Sequence, residues 1–168
     1  MKNLYAVASE CMYELETLGI KFGKIVNFEV NYRAKSRWGQ CCKKRDGYYI
    51  NISNRLLQDD VEDKALKDTI IHEILHTCEG CMNHGTTWKK HADKVNKAYG
   101  YNIKRCTSAE EKGFDMEDLK AEKERNAKHK FVCEKCGQTI LRQRESNFTK
   151  NYENYTCGRC GGKFEKLY

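Results

Sequence analysis

The pentapeptide His72-Glu73-Ile74-Leu75-His76 constrains the fold of this chain more than any other feature. In a helix of about 3.6 residues per turn, two side chains four positions apart project from the same face. Two imidazoles at that spacing can share one tetrahedral zinc ion. Glu73 lies about 100° around the helix from His72, so its carboxylate falls beside the metal and can take a proton from an attacking water. The pattern therefore predicts a helix with two metal ligands and a general base.

The flanking sequence predicts that this helix is buried. Asp59 and Asp60 offer N-cap oxygens, and we expect the helix to run to about Cys78. Apolar residues recur at helical spacing, namely Val61, Leu66, Ile70, Ile71, Ile74 and Leu75. Packed core histidines are the alternative interpretation. Two histidines and a carboxylate in a buried stripe would each need a partner, which favours the metal site.

A catalytic zinc usually has three protein ligands and keeps a fourth position for water, so one more ligand is needed. His84 is the best candidate, because Gly80 interrupts the helix and Asn83 and Gly85 favour a reversal of the backbone. The alternative is a histidine in a surface loop. His91 and His129 are weaker candidates, the first on a later helix and the second in a different module.

The rest of the first hundred residues predicts an α+β domain. Apolar spacing over Asn3 to Leu18 indicates an amphipathic helix ended by Gly19. Segments around Ile25 to Val30 and Tyr48 to Ile52 are typical of strands, which we expect to form a hairpin or a short sheet. A further helix, capped by Thr86 or Thr87, should stop at Gly100.

The C-terminal segment carries two cysteine pairs with the spacing of a four-cysteine zinc ribbon. Cys133 and Cys136 form one pair, Cys157 and Cys160 form the other, and twenty residues separate the pairs. Four thiolates fill a tetrahedron, so this zinc should be structural. Unrelated reduced thiols are the alternative. With few large apolar side chains, the segment needs such a staple to fold, and we expect two zinc ions per chain in all.

The remaining cysteine motif is less informative. Cys78 and Cys81 have the same spacing but no second pair nearby, which favours packing or a labile thiol over a metal site. The sequence assigns no chemistry to Cys41 and Cys42.

The chain resembles a known family. The motif from His72 to His76, the later Asn83-His84-Gly85-Thr86-Thr87-Trp88 and the upstream Ser36-Arg37-Trp38-Gly39-Gln40-Cys41 are similar to those of the SprT-like metallopeptidases and of the neighbouring YgjP-like and Spartan-like groups. The resemblance covers residues 1 to 105. It implies a minimal zincin fold, a small sheet beside the metal helix, ligands at His72, His76 and His84, and peptide-bond hydrolysis. Eukaryotic relatives degrade proteins crosslinked to DNA, and that substrate enters by analogy alone.

We predict three regions: a zincin-like metallopeptidase domain over residues 1–107, a charged helical connector over 108–128 and a zinc ribbon over 129–168. The net charge of +7 is uneven, with +5 over residues 1–57 and +4 over 129–168, which favours a polyanionic partner. Candidate contacts to nucleic acid are basic residues with an interleaved aromatic: Arg33, Lys35, Arg37, Trp38, Lys43, Lys44, Arg45, Arg142 and Arg144. A solvated hairpin and an ordinary basic ribbon surface are the alternative.

We expect a cytoplasmic monomer with no membrane partner. No stretch approaches the roughly 18 apolar residues of a membrane span, and residues 1–20 lack the apolar core of a signal peptide. The ten cysteines would then be mostly reduced.

Three functions compete. The first is a zinc endopeptidase that acts on DNA-associated or DNA-crosslinked proteins, with DNA bound nonspecifically. The second is a noncatalytic nucleic-acid-binding zinc protein, and the third is a cytoplasmic peptidase with no role at nucleic acid. Glu73 argues against the second, since a binding module needs no carboxylate beside an open zinc. Tyr48, Tyr49, Arg37 and Tyr101 are all candidates to stabilise the oxyanion, and spacing singles out none of them.

Overall fold

The computed structural model describes residues 1–34 and 37–168 and contains two compact units, Met1–Phe114 and Asp115–Tyr168. The mixture of helices and small sheets confirms the α+β fold class. Lys35, a predicted contact to nucleic acid, lies outside the described residues. Within those described ranges, no helix is long and apolar enough to cross a membrane.

The first unit is built from three helices and one sheet: α1 (Leu4–Thr17), β1 (Ile25–Asn31), β2 (Gly39–Lys43), β3 (Tyr48–Ser53), α2 (Asp63–Leu75) and α3 (Thr86–Tyr99). Short 3-10 turns follow at Asn54–Leu57 and Glu110–Lys112. Helix α1 begins where the Asn3 side chain accepts hydrogen bonds from the N–H groups of Tyr5 and Ala6. It ends before Gly19, whose φ of 67° reverses the chain as the sequence predicts.

The sheet has the order β1-β3-β2, which decides between the two predicted arrangements. Strands β1 and β3 run parallel, so they form a short sheet and no hairpin with each other. The hairpin joins β2 to β3 through the Asp46-Gly47 turn, with Gly39 opposite Ile52. Direct pairing of parallel strands needs a long connection, and β2 lies within that connection. Strand β2 is thereby left at the edge of the sheet.

Helix α2 is the centre of the core. Its residues Leu66, Ile70, Ile71, Ile74 and Leu75 are fully buried among α1, α3 and the sheet. Burial of such side chains stabilises the fold by roughly 1.5–3 kcal/mol each. This packing makes α2 a rigid support for side chains on its one polar stripe.

The ends of α2 and α3 differ from the predicted caps. Helix α2 begins after Glu62 without a side-chain cap, while Asp59 instead accepts a hydrogen bond from the terminal amine of Met1 at 2.8 Å. Helix α3 begins after Gly85, again without a side-chain cap, and ends at Gly100 as predicted.

The first unit extends past the motif region. Lys112 is 4% exposed, and its Nζ donates to the carbonyl of Ala65 at 2.9 Å. Phe114 stacks on Trp38 with ring centroids 4.7 Å apart. Residues 110–114, which the sequence assigns to a solvated connector, therefore pack against the first unit.

The second unit is small. It consists of α4 (Met116–Arg125), β4 (His129–Cys133), β5 (Thr139–Arg142), α5 (Asn147–Lys150), a 3-10 turn at Tyr152–Asn154 and β6 (Phe164–Lys166). The strands form an antiparallel sheet in the order β5-β4-β6. Its buried cluster contains only Phe131, Cys133, Cys157 and Phe164. A core of that size is too small to be stable without a covalent or metal staple.

Candidate metal centres and catalytic cleft

Three histidines of the first unit converge on one point. His72 lies on α2, His76 is the residue that ends it, and His84 follows in the next turn. Nε2 of His72 lies 3.3 Å from Nε2 of His76 and 2.9 Å from Nε2 of His84. One ligand atom from each residue lies within 4.8 Å of the others. Nitrogens on a tetrahedral zinc are about 3.3 Å apart, given Zn–N bonds of about 2.0–2.1 Å, so the cluster has the dimensions of a zinc site.

A compact turn after α2 brings His84 back over the helix. The N–H of Thr77 donates to the carbonyl of Ile74, and the N–H of Cys81 donates to that of Cys78 at 3.1 Å. Gly80, with φ of 71°, occupies the left-handed region that this reversal requires. The turn predicted from Gly80 therefore places a third imidazole beside the first two.

Backbone carbonyls orient two of the imidazoles. Nδ1 of His72 lies 3.1 Å from the carbonyl oxygen of Lys104, and Nδ1 of His76 lies 2.9 Å from that of Cys81. A carbonyl only accepts, so each Nδ1 carries the proton and each Nε2 presents a lone pair to the cluster. A hydrogen bond from the second ring nitrogen to a carbonyl is typical of metal-bound histidines.

Trp88 forms the base of the cluster. Its ring centroid lies 4.8 Å from that of His72, 4.6 Å from that of His84 and 5.8 Å from that of His76. The side chain is 1% exposed, and within the described residues its Nε1 is the one buried side-chain polar atom without a hydrogen-bond partner. Van der Waals contact with the imidazoles is thus what Trp88 supplies.

Electrostatics keep His72 and His84 in the form that binds metal. Burial, together with the neighbouring His76 and His84, lowers the pKa of His72 to about 3. Burial and His76 also lower the pKa of His84. Neutral imidazoles with convergent lone pairs repel one another unless a cation lies between them, so the donor set fits a zinc ion.

Glu73 lies on α2, and its side chain contacts the edge strand β2 at Gly39. It is 7% exposed, and burial raises its pKa to about 7 although the N–H of Cys41 and the charge of Arg37 act in the opposite direction. A Cβ at Gly39 would lie 2.6 Å from its Oε1. The absence of a side chain at Gly39 therefore makes room for the carboxylate.

A cleft of about 340 Å³ opens beside His72 and Glu73. It is lined by Asp68 and Thr69, which precede His72 on α2, by Arg37 and by the loop from Asn102 to Thr107. The N–H of Asn102 donates to Asp68 at 3.2 Å and fixes one end of that loop. The first unit thus combines three imidazoles, a carboxylate and an adjoining space for a ligand.

Comparison with known proteins supplies the family. The model of the SprT-like family matches residues 9–107, which is more than half of the chain and contains the three histidines and Glu73. The chain belongs to the SprT-like family. Membership is consistent with a zinc metallopeptidase-like role, and it confirms the resemblance read from the motifs.

Only one of the four predicted oxyanion candidates faces the cleft of this SprT-like domain. Tyr101 donates to both carboxylate oxygens of Glu14 at 2.9 Å, and Tyr49 donates to Asp46 at 2.7 Å. Tyr48 lines a separate pocket with Thr77. Arg37 is left as the candidate that lines the cleft with His72 and Glu73.

The four ribbon cysteines also form a cluster. Sγ of Cys133 lies 3.5 Å from that of Cys160, and Sγ of Cys136 lies 3.7 Å from that of Cys157. Such separations suit four thiolates on one zinc, given Zn–S bonds of about 2.3 Å. Desolvation opposes ionisation of Cys133, but the N–H groups of Cys136 and Lys135 outweigh it and lower the pKa of the thiol.

Glycines shape the ribbon site as well. Gly137 and Gly161 both have φ of 70°, as tight turns around the metal require. A Cβ at Gly162 would lie 2.8 Å from Sγ of Cys133. The chain therefore offers two candidate metal sites, for which zinc is the plausible ion.

The other histidines and cysteines do not join either cluster in the part of the chain that the structure describes. His91 lies on α3 and His129 on β4. Cys78 and Cys81 are buried beneath the turn that leads to His84, where they serve as small apolar packing residues. The backbone N–H of Cys41 donates to the carboxylate of Glu73, while Cys42 belongs to neither cluster.

The predicted contacts to nucleic acid fall on both units. In the first unit, Arg33, Lys43, Lys44 and Arg45 are exposed, and Nζ of Lys44 lies 3.6 Å from the ring centroid of Tyr49. Arg37 and Trp38 instead line the cleft beside His72 and Glu73.

In the second unit, Arg142 lies over the ring of Phe148 at 5.6 Å, and Arg144 is exposed. No geometry within either unit identifies a base-reading surface among these residues, and their contact with nucleic acid stays a prediction.

Sequence reasoning missed the cleft wall formed by Lys104, Arg105 and Cys106. It also missed the carbonyls of Lys104 and Cys81 that orient the imidazoles. Every residue has a carbonyl, so no sequence signal marks these two.

Proposed function

We propose that this chain is a zinc-dependent metalloendopeptidase that hydrolyses peptide bonds in DNA-associated proteins. The observation that carries the proposal is the position of Glu73. Its carboxylate is held by the N–H of Cys41 beside three convergent imidazoles and at the wall of an open cleft. A noncatalytic zinc module has no use for a buried carboxylate at that point.

The position of strand β2 at the edge of the sheet favours a peptide as the substrate. The N–H of Ser53 donates to the carbonyl of Trp38 at 2.8 Å, so Trp38 belongs to a hydrogen-bonded pair of the ladder. In an antiparallel ladder, the polar groups of the next residue point away from the partner strand. Those of Gly39 therefore face the cleft, where an extended substrate can add to the sheet as a further strand.

Zinc and Glu73 have separate roles in the proposed hydrolysis of the peptide bond. When bound, zinc supplies a Lewis acid that polarises a carbonyl and lowers the pKa of water. Glu73 accepts one proton from the attacking water, whose oxygen forms the new bond to the carbonyl carbon. Glu73 returns that proton to the leaving nitrogen as the C–N bond breaks, so the products are a carboxylic acid and an amine. Glu73 is thereby restored to its carboxylate form, and the product carboxylic acid then loses its own proton to solvent.

The association with DNA rests on charge. The exposed cations of the first unit lie on or near the β2–β3 hairpin, and those of the ribbon accompany Tyr155, which is 38% exposed and whose ring can stack on a base. Such contacts bind the phosphate backbone without reading sequence, so binding should weaken steeply with salt. A cytoplasmic location is part of the same proposal, supported by ten cysteines that are all free.

The experiment that tests the proposal is cleavage of a DNA-binding protein by the zinc-loaded full chain, with and without single-stranded and duplex DNA. We expect cleavage that increases when DNA brings enzyme and substrate together. The variant Glu73→Gln should keep its zinc and lose turnover. Equal rates with and without DNA would favour a peptidase with no role at nucleic acid, and unchanged turnover in Glu73→Gln would rule out the general base.

A further inference from the structure

The cleft beside the histidine cluster is lined by four cations from three separate segments. Arg37 comes from the segment before β2, Lys104 and Arg105 come from the loop after α3, and Lys112 comes from the 3-10 turn that follows. Two acidic residues, Asp68 and Glu73, line the same space. Positive side chains therefore outnumber negative ones around a concave site, and such a site raises the local concentration of ligands of opposite charge.

Two of these cations are engaged by other groups of the first unit. Lys104 forms an ion pair with Glu111. Lys112 is buried and donates to the carbonyl of Ala65, and burial lowers its pKa although Asp68 acts in the opposite direction. Both lysines thus stabilise the wall of the cleft more than they attract a ligand.

The two arginines have no such partner. Within residues 1–34 and 37–168, neither Arg37 nor Arg105 lies within ion-pair distance of an acidic side chain, and both side chains are exposed to solvent at the cleft. Both arginines line the same cleft as His72 and Glu73.

We propose that this cleft binds an acidic side chain of the substrate next to the bond that is cut, with Arg105 and Arg37 as the residues that select it. The inference rests on the proposed peptidase function and names the substrate class. A guanidinium presents two parallel N–H donors to a carboxylate, and such charge-assisted pairs are the strong ones.

The shape of the cleft favours a peptide carboxylate over a phosphodiester strand. A volume of about 340 Å³ suits one or two side chains. Asp68 lines the cleft at 8% exposed, so an extended polyanion would meet a negative charge there. A single carboxylate held at the arginines avoids that repulsion.

Cleavage-site mapping tests the selectivity. A mixed peptide library is digested by the zinc-loaded full chain, and the cut sites are identified by mass spectrometry. We expect Asp and Glu to be enriched at one position flanking the cut bond. The enrichment should disappear in Arg105→Gln and change to Lys and Arg in Arg105→Glu. The control Lys89→Glu makes the same charge change at an exposed position of α3 outside the cleft, and it should retain the acidic preference. Cleavage without acidic enrichment, or enrichment that persists in Arg105→Glu, would overturn the inference.

A binding assay separates this inference from the peptidase proposal. The zinc-loaded Glu73→Gln variant is titrated with three peptides that differ only in a central Glu, Gln or Lys. We expect the Glu peptide to bind about tenfold more tightly than the Gln peptide, the effect of one charge-assisted hydrogen-bonded pair. Introducing Arg105→Gln into that variant should remove the difference.

Equal affinities would overturn the proposed selection of an acidic side chain even if the enzyme cuts protein. A preference for the Glu peptide without any turnover would support the selection of an acidic side chain and rule out the proposed peptidase function. Displacement of the peptide by a short single-stranded oligonucleotide that itself needs Arg105 would assign the cleft to phosphate and also overturn the inference.

Discussion

Gly39 and Glu73 are in such close contact that position 39 has no room for a side chain. A Cβ there would lie 2.6 Å from Oε1 and 2.7 Å from Cγ of Glu73. Strand β2 thus positions the carboxylate in two ways, by the absence of a side chain at Gly39 and by the N–H of Cys41. A displaced carboxylate would no longer face the attacking water.

The variant Gly39→Ala should therefore reduce peptidase activity by about a hundredfold, the cost of moving a catalytic group by about 1 Å. Zinc content should be unchanged, because Gly39 does not contact the histidines. The control is Gly85→Ala, since a Cβ at Gly85 meets no atom within 4 Å. Turnover and elemental analysis of both variants check the prediction, and full activity in Gly39→Ala would contradict it.

Trp88 should influence how tightly the histidine cluster binds zinc. The variant Trp88→Phe removes ring contacts to three imidazoles and also removes an indole N–H that has no partner. We expect zinc affinity to fall by about tenfold, as for other residues that orient metal ligands. Competition with a chromophoric chelator measures it.

The matched control for Trp88 is Trp38→Phe, because Trp38 stacks on Phe114 instead of on the cluster. Equal affinities in the two variants would show that Trp88 does not orient the ligands.

Purified protein should contain about two zinc ions per chain, one in the four-cysteine site and one in the three-histidine site. Cys157→Ser should lower the content to one and unfold the second unit, because its buried cluster contains only four residues. Elemental analysis and proteolysis of the full chain check both effects. Cys106→Ser, at an exposed cysteine outside both clusters, should retain two ions. A Cys157→Ser protein that keeps two ions would refute the ribbon assignment.

The ion pair between α2 and α1 should stabilise the first unit. Nζ of Lys67 lies 2.9 Å from Glu10 and 3.0 Å from Glu14, and the side chains of Lys67 and Glu14 are 19% and 15% exposed. We expect Lys67→Met to lower the free energy of unfolding by roughly 2–3 kcal/mol, because Glu14 would lose its cation in a largely buried place. Denaturant unfolding measures the change.

The control for Lys67 is Lys104→Met, whose pair with Glu111 is 43% and 37% exposed and should contribute less than about 1 kcal/mol. Desolvation opposes the charge of Lys67, but Glu10 and Glu14 outweigh it and raise the pKa. A raised pKa in the folded state means that the stabilisation is present below the ordinary lysine pKa and is lost as the pH rises beyond it. Unfolding at pH 7 should therefore show the full effect, and a Lys67→Met protein as stable as its parent would contradict it.

Local periodicity predicted the helices well. The spacing of Leu4, Ala8, Cys11 and Leu15 predicted the buried face of α1, because that spacing follows from the helical repeat alone. Direction and pairing of strands were less accessible. Ile25–Asn31 and Tyr48–Ser53 have the same composition whether they pair parallel or antiparallel, and the intervening β2 decided the outcome.

The predicted candidate site followed a similar division. The positions of His72 and His76 on one face could be derived from the sequence, and the glycine at position 80 indicated the reversal before His84. The roles of Lys112 and Phe114 could not, because a charge-rich segment gives no sign of which of its residues become buried.

The sequence by itself determined the two donor sets, since ligand type and spacing along one chain decide which side chains can reach a common ion. Only the tertiary structure decided what surrounds them. Gly39 and Glu73 are distant in sequence, and so are Trp88 and His72. Their contacts depend on how the edge strand and α3 pack against α2, and non-local packing leaves no periodic trace in a single sequence.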